Sequence, residues 1–185
     1  DGGRVTYLHG GGETLSDSFS FTARDSSGGQ VGTRTLEIVI SPVNDAPTLQ
    51  LPTRLTANEG GTIALTGIAA ADLDAGQSIM TLTLSVGGPA VLHAGNTGGL
   101  TVTGNDTASL QVQGALAGIN AWLATAGVLT YVPASGTGPL QDTLTVAIDD
   151  GQAVNHQATG TVALKINRAP ILVNVGMAVQ EATTP

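Results

Sequence analysis

Apolar and polar residues alternate with a period of two along most of the chain. Phe19 and Phe21 are spaced by Ser and Thr, and Leu36, Ile38 and Ile40 alternate with Thr35, Glu37 and Val39. The same period recurs in Ile79–Val86, Leu100–Thr103, Leu110–Gln113, Val128–Val132 and Leu144–Ile148. Such alternation predicts strands with one buried face, and the abundance of Thr and Val suits a pleated, half-buried surface. One segment departs from it. Residues 115–126 carry Leu116, Ile119, Trp122 and Leu123 at helical spacing between Gly114 and Gly127. This predicts a short helix that closes one end of a sandwich and buries the single Trp. Short strands parted by Gly, Asp and Asn turns predict an all-β, Ig-like Greek-key sandwich with that one helix.

The pattern also repeats. Asp17–Asp25 lines up with Asp142–Asp150, an acid at each end and apolar alternation between. A second alternating run follows each, Thr33–Ile40 and Thr159–Ile166. Each then closes in a similar linker, Val43-Asn44-Asp45-Ala46-Pro47 and Ile166-Asn167-Arg168-Ala169-Pro170, with the two prolines 123 residues apart. Glu59 and Glu181 follow the linkers at nearly the same distance. The period predicts that residues 1–45 are the C-terminal half of one repeat and 46–168 a complete repeat. Residues 169–185 then form a linker and the first strand of a following repeat, within Ile171–Val179.

Composition narrows the function. Of 185 residues, six are basic and fourteen acidic, for a formal net charge of −8. That balance argues against a nucleic-acid partner or an anionic membrane surface. No apolar run approaches the roughly 20 residues of a membrane-spanning helix, so membrane insertion is not expected. The absence of Cys excludes a disulfide framework, thiolate metal sites and cysteine catalysis. A single Lys (Lys165) in a Gly-, Thr-, Ala- and Asp-rich chain suits an exported acidic protein. No secretory signal opens the sequence, so a mature piece or an internal segment is expected.

Catalytic patterns are missing from the sequence. His9, His93 and His156 read as isolated turn residues without ligand spacing, and no Gly-x-Ser-x-Gly, Walker or His-Glu-x-x-His string occurs. Gly10-Gly11-Gly12 is followed by neither a helix start nor a Lys. A glycosidase pair of carboxylates would lack aromatic platforms, because aromatics are only 3% of the chain. No enzymatic activity is expected. Asn105-Asp106-Thr107 fits a glycosylation sequon.

The acids are distributed unevenly. Ten of the fourteen stand where predicted strands begin or end: Asp17, Asp25, Asp45, Glu59, Asp72, Asp74, Asp142, Asp149, Asp150 and Glu181. Strand ends of a sandwich meet at its poles, where clustered carboxylates must be solvated, protonated or neutralised. Few bases are at hand, so a divalent ion is one answer; Ca²⁺ takes roughly six to eight oxygen ligands from carboxylates, amides and carbonyls. No linear EF-hand loop is present. The other answer is local, since Asp and Asn at strand ends also form turns by bonding backbone amides, as Asp149-Asp150-Gly151 is suited to do.

These residues resemble a known family. Val43-Asn44-Asp45-Ala46-Pro47 resembles the domain-end motif of cadherin-like repeats, Asp72-Leu73-Asp74 their Asp-x-Asp motif, and Glu59 their early Glu. Val5–Gly10 with Asp17–Phe21 is similar to the closing half of chondroitin-sulfate-proteoglycan-type repeats. Gly118–Ala124 with Leu129–Pro133 is similar to tandem repeats of giant bacterial adhesins exported by type I secretion, the RTX-adhesin-like proteins. The resemblance implies a cadherin-like sandwich with Ca²⁺ at its junctions. At the first it implies Asp17, Asn44, Asp45, Asp72 and Asp74, with Asp149 or Asp150 at the same pole. At the second it implies Glu59, Asp142 and Asn167. Arg168 replaces the linker acid there, which makes a salt bridge to Glu59 or Asp142 the alternative. Pro42 replaces a further linker Asp of the family.

The function so implied is a structural spacer of a multi-repeat adhesin in a biofilm or at a cell surface, extracellular and bacterial. Its partners would be neighbouring repeats of the same protein. Two alternatives stand beside it: a module that binds polysaccharide or a cell-surface protein through Tyr7, Tyr131 or Trp122, and a filament subunit completed by strand donation from residues 171–185.

Overall fold

A computed structural model describes residues 4–58, 60–133 and 141–167. The expected strand at Ile171–Val179, and Glu59, Arg168 and Glu181, lie outside the described residues.

The chain opens with a hairpin, β1 (Ser16–Arg24) and β2 (Gln30–Val39), paired Asp17 to Ile38 and Phe19 to Leu36. Its turn is set by Asp25, whose carboxylate accepts from the Ser27 and Gly29 amides at 2.9 and 2.7 Å. Next come β3 (Thr48–Gln50), β4 (Arg54–Asn58), β5 (Ile63–Ala64), β6 (Ala69–Ala71), β7 (Ile79–Ser85), β8 (Val91–Ala94), β9 (Thr101–Thr103) and β10 (Ser109–Ala115). Helix α1 (Leu116–Ala124) then leads to β11 (Leu129–Val132), β12 (Gln141–Asp149) and β13 (Gln157–Asn167).

These build a β-sandwich. One sheet has the order β4-β13-β12-β7-β10-β9; the facing layer is β5-β11-β8, with β3-β6 as a separate two-stranded ladder. Pairing is antiparallel throughout except where β13 meets β4, in parallel, with Leu164 beside Leu55 and Ile166 beside Ala57. Pro52 stands between β3 and β4. It cannot extend a ladder, and the chain changes sheets there.

The alternation seen in sequence becomes the core. Met80, Leu82 and Leu84 of β7, Leu110 and Val112 of β10, and Leu144, Val146 and Ile148 of β12 are all buried. They face Leu92, Leu129, Tyr131 and Ile63 of the other layer in one contiguous cluster. Burying a side chain of this size contributes about 1.5–3 kcal/mol, so this interior is the main source of stability.

Helix α1 carries the chain from the large sheet to β11 and buries Ile119, Trp122 and Leu123 against the core. It is shorter than the expected 115–126: Thr125 N–H closes it on the Trp122 carbonyl, and Gly127 takes φ 74°. His93 departs from the turn expected of it. It lies on β8 and bonds Asp106 at 2.7 Å.

Candidate metal centre

The strand directions separate the acids into two groups. Asp142 is the second residue of β12 and Asp149 the last, and at a rise of about 3.4 Å per residue they stand about 24 Å apart. Residues at those two ends cannot share an ion.

At the end of β12 marked by Asp149, the linker docks onto the sandwich. Asn44 Nδ2 lies 2.9 Å from Asp150 Oδ2, 3.0 Å from the Val154 carbonyl, 3.1 Å from the Asn155 carbonyl and 3.3 Å from the Asp45 carbonyl. A carboxamide nitrogen has only two protons, yet four oxygens surround it. Turning the amide over would put Oδ1 among those oxygens, a donor set that suits a hard cation and no hydrogen-bond donor. Asp150 is the buried charged residue of this shell. Its second oxygen accepts from Gln152 N–H at 2.8 Å, and its own N–H bonds the His156 carbonyl.

Asp45 reaches a second pair of acids. Its N–H donates to Asp74 Oδ2 at 3.1 Å. Asp72 Oδ1 accepts from the Asp74 and Ala75 amides at 3.1 and 2.9 Å, which folds the loop after β6. Asp72 Oδ2 is buried with no hydrogen-bond partner among the described residues. Burial, then the Asp74 carboxyl beside it, push Asp72 above the usual carboxylate range, whereas the contact with Asp72 holds Asp74 below it. Two neighbouring acids, one with a buried oxygen that no donor meets among the described residues, are the kind of group a divalent ion fits.

The loop owes its place to α1. Asn120 accepts from Ala70 N–H at 3.0 Å and donates to the Ala70 carbonyl at 2.8 Å, which ties β6, and so Asp72 two residues on, to the helix. Nothing in the sequence pattern marked Asn120; only the packing of α1 on β6 reveals it.

The remaining expected ligands behave differently. Asp17 caps its neighbour Ser18 N–H at 2.7 Å, and no hydrogen bond among the described residues joins it to Asn44, Asp45, Asp72 or Asp74. With burial it also raises the Tyr7 hydroxyl, burial being the larger cause. Asp149 accepts from Gly151 N–H at 2.7 Å and lies 3.0 Å from His156 Nδ1. At the other pole, Asp142 accepts from Tyr131 Oη at 2.9 Å, Gly87 N–H at 3.1 Å and Thr143 N–H at 2.7 Å. Among the described residues the Asn167 side chain there bonds only Asn58, at 3.4 Å. Turn chemistry therefore accounts for Asp25 and Asp149 outright. It holds Asp72 through Oδ1 alone, and leaves that residue's buried Oδ2 and the Asn44 shell without a turn role.

Among the described residues no three His, Asp or Glu side chains converge as a ready metal site. The oxygens around Asn44 come from one carboxylate and three carbonyls, a composition closer to a Ca²⁺ shell than to a transition-metal site. The aromatic candidates for a binding surface are mostly out of reach, with Trp122 5% and Tyr131 1% exposed; Tyr7 is 43% exposed. Asn105 of the sequon exchanges hydrogen bonds with both backbone groups of Ala94.

No protein-family model matches the chain, and no curated protein matches it. Among solved structures it is similar to human mucin-like protocadherin EC1-2, at 17% identity and a TM-score of 0.42 over 85% of this chain and 70% of that one. It is also similar to a cohesin module from the family 33 glycoside hydrolase of Clostridium perfringens ATCC13124, at 8% identity and a TM-score of 0.36 over 69% of this chain and 100% of that one.

Proposed function

We propose that the chain is a spacer segment of an extracellular multi-repeat adhesin whose first junction is stiffened by Ca²⁺. One observation carries the reading. Consecutive linker residues Asn44 and Asp45 each bond an acid of the sandwich, Asp150 and Asp74, and Asp72 next to Asp74 keeps a buried carboxylate oxygen with no partner among the described residues. A calcium ion bound there would supply positive charge to carboxylates that no Lys or Arg meets among the described residues. The protein's own part is geometric. Asn120 holds β6, the Asp72 turn fixes the loop, and Asn44 pins the linker to the loop that ends at His156.

The second junction is read as held without an ion, because three donors already satisfy Asp142. The buried Trp122 and Tyr131 disfavour the polysaccharide-binding alternative, and the reading assigns no catalysis.

Thermal melts with EDTA and with 10 mM CaCl₂ test it. Extracellular Ca²⁺ modules bind at about 10⁻⁴ to 10⁻³ M, so 10 mM adds about 1.4–2.7 kcal/mol of stability. For a domain of this size that is a rise of about 6–11 °C in Tm. The double variant Asp72→Ala/Asp74→Ala should lose the rise. A wild-type melt indifferent to Ca²⁺ refutes the proposal.

A further inference from the structure

Open sheet edges recruit strands from other chains, and the two main sheets of the sandwich end, among the described residues, in β4, β9, β5 and β8. Three of these are blunted by their own sequence. β5 is two residues long, β9 is three, and β4 carries Arg54. β8 has neither defence. It runs for four residues, Val91-Leu92-His93-Ala94, with no Pro, Lys, Arg, Asp or Glu.

Its outward backbone groups are nonetheless paired. β11 takes the inner edge, with His93 opposite Thr130, and Gly95 N–H continues that side to the Val128 carbonyl. By alternation the N–H and C=O groups of Leu92 and Ala94 look the other way. All four meet the turn between β9 and β10. Leu92 N–H donates to the Thr107 carbonyl at 2.8 Å, and the Leu92 carbonyl accepts from Asp106 N–H at 2.9 Å. At the next rung a side chain stands in for backbone. Asn105 Oδ1 accepts from Ala94 N–H at 2.7 Å, and Asn105 Nδ2 donates to the Ala94 carbonyl at 3.2 Å. A carboxamide offers the same donor and acceptor as a peptide group, so Asn105 imitates the next residue of a neighbouring strand. Asp106 is the reason. At φ 60°, a conformation Asp adopts more readily than most side chains, it diverts the chain between the two rungs. Its carboxylate then lies 2.7 Å from His93 Nδ1, a further latch on β8. Thr107 closes the turn, with Oγ1 2.7 and 2.8 Å from the Gly104 and Ser109 carbonyls.

We propose that residues 105–107 are an edge guard, a strap that keeps β8 of one molecule from pairing with β8 of another. A second copy is what the bare edge fits. Run antiparallel with His93 opposite His93, Leu92 of each copy faces Ala94 of the other. The outward groups of both residues are then exchanged across a two-fold axis. Asn105 makes two of the four backbone contacts that prevent this, and its loss frees both groups of Ala94. What remains is the pair of bonds at Leu92 and the contact between His93 and Asp106. None of these residues belongs to the Asn44 or Asp72 shell, so the guard is independent of the calcium reading.

The test uses the full chain in EDTA, so that it succeeds or fails apart from Ca²⁺. In wild type, hydrogen exchange at the Leu92 and Ala94 amides should be at least a hundredfold slower than in the unfolded chain, although both lie on an edge. The chain has no Cys, so His93→Cys reports the two-fold contact. Under mild oxidation, Asn105→Ala/His93→Cys should give at least tenfold more disulfide-linked dimer than His93→Cys alone. In sedimentation, Asn105→Ala should show a mass that rises with concentration above that of wild type. Adding His93→Lys sets like charges opposite each other and should return the mass to the wild-type value. Wild-type amides that exchange at the unfolded rate overturn the proposal, as do equal dimer yields or an Asn105→Ala chain no more associated than wild type. So does association that survives His93→Lys, which would place the contact elsewhere.

Discussion

Replacing Asn120 by Ala removes the clamp between α1 and β6. Two hydrogen bonds are lost, of 3.0 and 2.8 Å, and both partners are backbone groups of Ala70, itself only 7% exposed. A buried polar group left unpaired costs about 1–3 kcal/mol. Asn120 is half-buried, so water reaches the vacated position and the lower part of that range applies to each group. Ala is the better helix former by about 0.5 kcal/mol, which offsets part of the loss. The expected net destabilisation is about 1.5–3 kcal/mol. Urea unfolding followed by the fluorescence of the single Trp122 reads it well, because that residue sits on the same helix. The midpoint should fall with the slope unchanged. β6 ends at Ala71 and Asp72 follows, so the variant should also lose part of the Ca²⁺-induced rise in Tm. Asn120→Asp keeps the acceptor but sets a carboxylate oxygen against the Ala70 carbonyl, and should cost at least as much as Asn120→Ala. A change within about 0.5 kcal/mol for Asn120→Ala, the range of an ordinary surface substitution, would refute the argument that this amide positions the acid loop.

Three further outcomes follow from the same geometry. Asp72 is raised in the folded protein, so its contribution favours folding at low pH and is lost as pH rises through its folded value; Asp74, lowered, acts in the opposite sense. Melts in EDTA from pH 4 to 7 should therefore show Asp72→Asn gaining on wild type as pH rises, with its Ca²⁺ response absent. Tyr131→Phe removes one of the three donors to Asp142 and should cost about 1.5–3 kcal/mol in chemical denaturation, the range for a hydrogen bond to a charged group. Gly104 has φ 73° and a Cβ there would collide with the Ser109 carbonyl, so Gly104→Ala should lower Tm by more than Gly99→Ala, whose added Cβ meets open space.

The elements legible in the sequence are those whose own residues carry a full pattern. β7, β10 and β12 alternate strictly, and each buries the predicted face. The elements that escaped depend on a partner far along the chain. β6 is three alanines, poor strand formers, and exists because β3 pairs with it and Asn120 ties it to the helix. β4 has apolar residues only at Leu55 and Ala57, and its parallel pairing with β13 joins segments about a hundred residues apart, which no local period records. The candidate site divides the same way. Asp72 and Asp74 were visible because an acid pair near a strand end is a local string. The crowding around Asn44 was not, because its oxygens come from Asp150 and two carbonyls over a hundred positions away. Side-chain chemistry named the acids, but turn formation competes for them one at a time, and only the closed sandwich shows which acids their own turns fail to satisfy. Asp149 finds an amide two residues on and His156 beside it; Asp72 finds amides for Oδ1, but among the described residues its buried Oδ2 finds none. The oxygen left without a donor, rather than the number of acids nearby, is the better guide to where a cation would be needed.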